Sequence, residues 1–155
     1  MTAAVRAAPR DDRGSAVVEF VLLGVLLLVP LVYLILTLGR VQAASFAVDT
    51  AARSAVRAFT AAPDEATGRA RALAAVRLGL LDQGFDDDPV AATRITCAAG
   101  PCLTPGARVG VEVTVDVVLP GIPSALDRLA RTHDTVRSTG WGTVDAFRAA
   151  PEASP

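Results

Sequence analysis

The longest hydrophobic segment of the chain runs from Phe20 to Leu38, nineteen consecutive residues without a charged side chain. At ~1.5 Å per residue, a helix of this length measures about 28 Å, which is close to the thickness of the hydrocarbon core of a bilayer. The segment therefore predicts a single transmembrane helix near the N-terminus, interrupted by Pro30. Membrane lipid is accordingly an expected partner of this part of the protein.

Beyond this segment, apolar and small residues continue at alternating spacings of four and three, which is the pattern of one helix face. They are Val41, Ser45, Val48, Ala52, Ala55 and Phe59. The pattern predicts that the membrane helix extends to about residue 60. Small side chains let neighbouring helices approach closely, so this stripe suits either bundling with other subunits or packing on the chain's own domain.

A second helix is predicted from about Asp64 to Leu81, after a break at Pro63. Asp64 occupies the position of an N-cap, and Gly84 is expected to follow the end of the helix. The apolar face of this helix consists of Leu73, Val76 and Leu80.

The acidic segment from Asp86 to Pro89 is predicted to be a loop. Three adjacent carboxylates are compatible with a cation site, but their spacing is not that of a calcium-binding loop. We interpret the segment as a solvated run of charges.

Alternation of apolar and polar residues from Val109 to Val117 predicts a strand with one buried and one wet face. The segment "AATRITC" before it predicts a shorter partner strand, and a final strand is expected from about Thr135 to Val144. Between the alternating strand and the final strand, the segment from Pro120 to Arg131 is predicted to form a loop and a short helix. The expected fold is therefore α+β: one long N-terminal helix, then a small domain with one further helix and a short antiparallel sheet.

Two cysteines, Cys97 and Cys102, lie close together on the same side of the predicted membrane helix. Such a pair favours an intrachain disulfide in an oxidising compartment and two reduced thiols in a reducing one. A bridge would close a small loop beside the predicted hairpin and stabilise it by about 2 kcal/mol.

Glu19 is a carboxylate at the front edge of the apolar segment. A charged side chain placed in hydrocarbon costs roughly 2.5–3.5 kcal/mol on insertion scales, so a partner for it is expected. The alternative is a carboxylate at the level of the lipid headgroups, where the N-terminal end of a helix favours an anion.

The fourteen residues before Ser15 are small, polar and charged. A cleaved secretory signal peptide is one alternative, with "VQA", Val41 to Ala43, as its cleavage site. The apolar segment is longer than the roughly 7–15 residues typical of such peptides. We therefore favour a retained membrane helix.

Gly14 is followed by four residues, then by Glu19 and Phe20, directly before the apolar helix. This arrangement resembles the processing motif of type IV prepilins, which a membrane-embedded prepilin peptidase cleaves after the glycine. The resemblance implies that Gly14, Ser15, Glu19 and Phe20 form a processing site. Cleavage would free an α-amine at Ser15, largely cationic at neutral pH, which a neighbouring subunit could present to Glu19.

Most of the chain is similar to the TadE/TadG-like family, pilin-like minor components of tight-adherence (Flp-type) pilus systems. The similarity lies in "RGSAVVEFVLL", in "RITCAAGPCLTPGARVGVEVTVDVVLP" and in "VDAFR", where Phe147 replaces the commoner tyrosine. The resemblance implies a minor pseudopilin that takes part in pilus assembly and so in cell adhesion. It also implies three kinds of protein partner: a prepilin peptidase, other pilus subunits and inner-membrane assembly proteins.

The expected organisation has four parts. Residues 1–14 form a cytoplasmic leader, residues 15–60 a transmembrane and extended pilin-like helix, residues 61–148 an extracytoplasmic α+β domain, and residues 149–155 a disordered tail. The protein is thus expected to cross the cell membrane once, with its N-terminus in the cytoplasm.

Nothing in the sequence favours an enzyme. His133 is the only histidine, and we find no nucleophile elbow, glycine-rich phosphate loop or zinc ligand set. With a net charge of −1, nucleic acid is not an expected partner. No metal, cofactor or small-molecule substrate is expected. Trp141 is either a ligand platform or a core or interface aromatic. The alternative function is a single-pass exported binding or scaffold protein unrelated to pili.

Overall fold

A computed structural model describes residues 13–118 and 133–148. Three helices come first along the chain: α1 (Arg13–Thr60), α2 (Glu65–Leu81) and the single turn α3 (Pro89–Ala92). The strands are β1 (Thr93–Cys97), β2 (Arg108–Val118) and β3 (His133–Thr143). They form one antiparallel sheet in the order β1-β2-β3. The predicted α+β fold is confirmed.

The chain divides into two compact units between Leu36 and Thr37. In the first unit, the described residues belong to the apolar part of α1, and their large hydrophobic side chains are exposed. The helix continues through Pro30. Among the described residues, this is the one helix long and apolar enough to cross a membrane.

The core of the second unit lies between the C-terminal part of α1, helix α2 and one face of the sheet. The buried face of β2 is the predicted alternating set, Val109, Val111, Val113, Val115 and Val117. Helix α2 contributes Gly68, Ala72, Val76 and Leu80. Leu73 was predicted on this face but is only half-buried, because the helix turns Ala72 and Val76 inward.

The stripe of small residues on α1 is used inside this domain. Val48, Ala52, Ala55 and Phe59 are all buried in the core, whereas Ser45 is exposed and donates a hydrogen bond to the carbonyl of Val41. Of the two interpretations of the stripe, packing on the chain's own domain is the observed one. The four buried side chains are therefore not available for bundling with other subunits.

The predicted N-cap of α2 is also observed. The Asp64 carboxylate accepts hydrogen bonds from the amide and the hydroxyl of Thr67, both at 2.8 Å. These bonds stabilise the charged form and hold the pKa of Asp64 below its ordinary value. Pro89 was predicted in a loop but is the first residue of α3, which Asp88 caps by accepting a bond from the Val90 amide at 3.0 Å.

Cys97 and Cys102 form a disulfide, as predicted, with their Cα atoms 5.2 Å apart. The Cys102 amide donates to the Glu65 carboxylate at the start of α2. The bridge therefore connects the end of β1 to a loop that is itself hydrogen-bonded to the helix. The predicted helix between Pro120 and Arg131 and the predicted tail, residues 149–155, lie outside the described residues.

Helix α1 approaches β3 so closely that the strand needs glycine at the crossing. A Cβ atom on Gly140 would lie 2.7 Å from the backbone oxygen of Ala52, and one on Gly142 would lie 2.9 Å from the Val56 side chain. Real Cβ atoms do not come this close to backbone, so a larger residue at position 140 must separate strand and helix.

We expect Gly140→Val to destabilise the domain by about 3 kcal/mol, because the added atoms meet rigid helix backbone in a closely packed core. The measurement is pulse proteolysis of the full-length chain in detergent micelles over a urea series. Thr139→Val, one residue away on the exposed face, is the matched control and should change stability by less than about 0.5 kcal/mol. Equal urea midpoints for the two variants would contradict the packing described.

Candidate processing and assembly site

The residues predicted to form the processing site lie together on the first two turns of α1, which begins at Arg13. The backbone between Gly14 and Ser15 is therefore helical. Ser15 and Glu19 are four residues apart, which places them on the same side of the helix.

Glu19 and Phe20 are both exposed, Phe20 to 77%. None of the hydrogen bonds or ion pairs between described residues involves Glu19. The carboxylate is flanked by exposed apolar side chains, among them Val17 and Val18. In a membrane, a carboxylate in this setting requires either headgroups or a cation as its partner.

Residues 14–57 match the family model described as "TadE-like protein". The chain carries a TadE-like domain. The match begins at Gly14, the predicted cleavage residue, and ends three residues before the end of α1. Comparisons with curated proteins and with solved structures found no match.

The match confirms the TadE/TadG-like resemblance for the N-terminal third of the chain, and it supports a protein related to the tight-adherence pilus. The TadE-like domain also contains the helix that could cross a membrane, which is compatible with a single-pass anchor. Interaction with other pilus components is what this family suggests.

The C-terminal segment "VDAFR" lies outside the TadE-like match. Val144 is buried in the core, whereas Phe147 is exposed to 98%. Arg148 donates a hydrogen bond to the carbonyl of Pro63, in the turn between α1 and α2. The segment after β3 is therefore hydrogen-bonded to the helical part of the domain.

The acidic segment has one half-buried member, Asp87, between the exposed Asp86 and Asp88. Burial, followed by the neighbouring carboxylates of Asp116 and Asp86, raises the pKa of Asp87 above its ordinary value. The folded state thus binds the Asp87 proton more tightly than the unfolded chain does. The stability of the folded state therefore falls as the pH rises from the ordinary pKa of an aspartate through the raised pKa of Asp87. No cluster of three or more potential metal ligands occurs within residues 13–118 and 133–148.

Trp141 lies on the outer, wet face of the sheet and is 60% exposed. Its ring covers Gly110, the residue directly opposite on β2, where a Cβ atom would lie 2.8 Å from the indole. The Arg108 guanidinium stands over the same ring at 5.4 Å. Of the alternatives left by the sequence, a buried core aromatic is therefore wrong.

Proposed function

We propose that this chain is a membrane-anchored minor pseudopilin that takes part in assembly of a tight-adherence pilus. The observation that carries the proposal is the TadE-like match, which begins at Gly14 and covers an exposed apolar helix that contains Glu19. Its contribution is structural rather than enzymatic. The helix holds the subunit in the membrane, and the domain that follows presents surfaces to other pilus components.

The proposed topology places the N-terminus in the cytoplasm and the domain outside. A disulfide between Cys97 and Cys102 supports this orientation, because such bonds persist in oxidising compartments. A prepilin peptidase would then meet Gly14 at the cytoplasmic face. Inner-membrane assembly proteins and other pilus subunits would contact the mature helix.

In the proposed assembly, Glu19 binds the α-amine of Ser15 on a neighbouring subunit. Both charges would otherwise lie unpaired near the bilayer, and their pairing fixes the axial register of the two helices. The lack of a partner for Glu19 among the described side chains of a single chain is consistent with a partner in another subunit.

Deletion of the gene in the native cell tests the proposal. We expect loss or a severalfold reduction of pili on electron micrographs, restored by the full-length chain on a plasmid. Crosslinking of a tagged full-length chain should also capture pilus subunits. Normal piliation together with an absence of crosslinks to pilus subunits would favour the alternative, an exported binding or scaffold protein.

A further inference from the structure

Within the described residues, strand β3 is the last strand of the sheet and has an open edge. Among the described strands it pairs with β2 alone. The Val144 amide donates a hydrogen bond to the Ala107 carbonyl at 2.9 Å. With the register of β2 and β3, this bond shows which residues of β3 direct their backbone groups toward β2. Alternate residues of an antiparallel strand direct their backbone groups to opposite sides. The residues whose N–H and C=O groups point away from β2 are therefore Thr135, Arg137, Thr139, Trp141 and Thr143.

A groove follows this edge on the side of α1. Its volume is about 480 Å³, and its two walls are the last turns of α1 from Asp49 to Thr60 and the β3 segment from Thr139 to Thr143. We call it the β3-edge groove. Gly140 and Gly142 keep the inner side of the strand free of side chains. An additional strand paired with β3 would consequently lie beside α1, with every second side chain directed toward that helix.

The charge of the β3-edge groove is positive. Asp49 is engaged by Arg53, with contacts of 2.9 and 3.1 Å, and its carboxylate also accepts a bond from the Ser138 hydroxyl at 3.3 Å. Arg57 lines the same wall, is exposed and forms no ion pair within the described residues. Among the described side chains, Arg57 is thus a cation of the groove without a counter-charge.

We propose that the β3-edge groove binds an extended acidic peptide segment of a partner protein, which adds to the sheet as a fourth strand beside β3. Strand addition satisfies the outward backbone groups, and pockets for alternate side chains give the specificity. A carboxylate on the side facing α1 reaches Arg57. This inference does not depend on the proposed role in a pilus.

A second copy of this chain is a poorer occupant. Pairing two β3 edges about a two-fold axis presents the same patch on both sides. It would bring Arg53 and Arg57 of each copy to one seam, and among the described lining residues Asp49, already engaged by Arg53, is the only carboxylate. Charge complementarity therefore favours an acidic partner.

The test uses the full-length chain in detergent micelles and fluorescence anisotropy of labelled ten-residue peptides. The probe is a peptide of alternating threonine and glutamate, and its control alternates threonine and lysine. We expect the glutamate peptide to bind at least about tenfold more tightly than the lysine peptide. Alternate N-methylation of the glutamate peptide should abolish its binding, because it removes the backbone donors that pair with β3.

Arg57→Glu should weaken binding of the glutamate peptide about tenfold or more, whereas Arg77→Glu, an exposed site on α2 outside the groove, should leave it unchanged. Equal binding of both peptides, undiminished binding after N-methylation, or no measurable binding would overturn the proposal. A dimer of the free chain that Thr139→Pro dissociates would also overturn it, in favour of a second copy as the occupant.

Discussion

Replacing Glu19 by alanine should abolish incorporation of the chain into pilus complexes while leaving its amount in the membrane unchanged or raised. The substitution removes a charge from the edge of the apolar helix, so insertion becomes easier. It also removes the acceptor for the Ser15 amine of a neighbouring subunit. Crosslinking of full-length chains to pilus subunits in the native cell, together with counts of pili, measures the effect. We expect crosslinking and the number of pili to fall at least about tenfold, because the variant leaves the Ser15 amine of the neighbouring subunit unpaired near the bilayer.

Glu19→Gln is the matched variant, since it retains the shape and removes the charge. It should behave like the alanine variant if the ion pair is the essential contact. Urea midpoints of the domain should be the same in wild type and in both variants, because Glu19 lies in the other compact unit of the chain. Wild-type crosslinking and piliation in both variants would mean that Glu19 is a carboxylate at headgroup level.

Gly14→Val should block maturation. A glycine lets the backbone approach a catalytic site closely, and a β-branched residue at the cleavage position removes that access. Intact-mass measurement on protein purified from its native cell should find a wild-type chain that begins at Ser15 and a variant that retains the leader. We expect less than about a tenth of the variant to be cleaved, a loss typical of a mispositioned scissile bond.

Two outcomes for the wild-type chain would contradict this prediction in different ways. A native N-terminus at Met1 or Thr2 would mean that the leader is retained and that Glu19 has no Ser15 amine to bind. An N-terminus at Ala44 would mean that a signal peptidase removes the apolar helix. Gly24→Val serves as the control, because a Cβ atom there meets no neighbouring atom in the single chain, and its processing should be unaffected.

The elements with a strong local pattern could be predicted from the sequence. Helix α1 ends at Thr60, close to the predicted end, because Pro63 and the capping Asp64 interrupt the helical pattern. Strand β2 shows strict alternation, and each of its odd-numbered valines from 109 to 117 is buried. The disulfide followed from two cysteines in one turn-rich segment.

Other features depended on contacts between distant segments. Strand β3 begins at His133, two residues before its predicted start, because His133 and Asp134 pair with Val118 and Val117 of β2 rather than follow a pattern of their own. The short helix α3 is a single turn, too brief for periodicity to reveal. The sequence could not show which surface the α1 stripe contacts, since small residues pack equally well on a neighbouring subunit and on the chain's own sheet.

The candidate site divides in the same way. Gly14, Ser15, Glu19 and Phe20 are consecutive or nearly so, and a local motif is therefore enough to predict them as a processing site. The β3-edge groove joins Arg57 to residues more than eighty positions later, and no local signal links them. The Asp49–Arg53 spacing was the one visible hint, because an acid four residues before a base predicts an ion pair on an exposed helix face.

The chain has a single tryptophan, and it stands on the outer face of the paired strands β2 and β3. Light emitted by Trp141 thus originates from one identifiable point, over Gly110 and beneath Arg108. A change in its spectrum reports on the pairing of these two strands or on a molecule arriving beside them. The protein therefore contains a built-in optical reporter for its sheet, and no dye needs to be attached to follow events there.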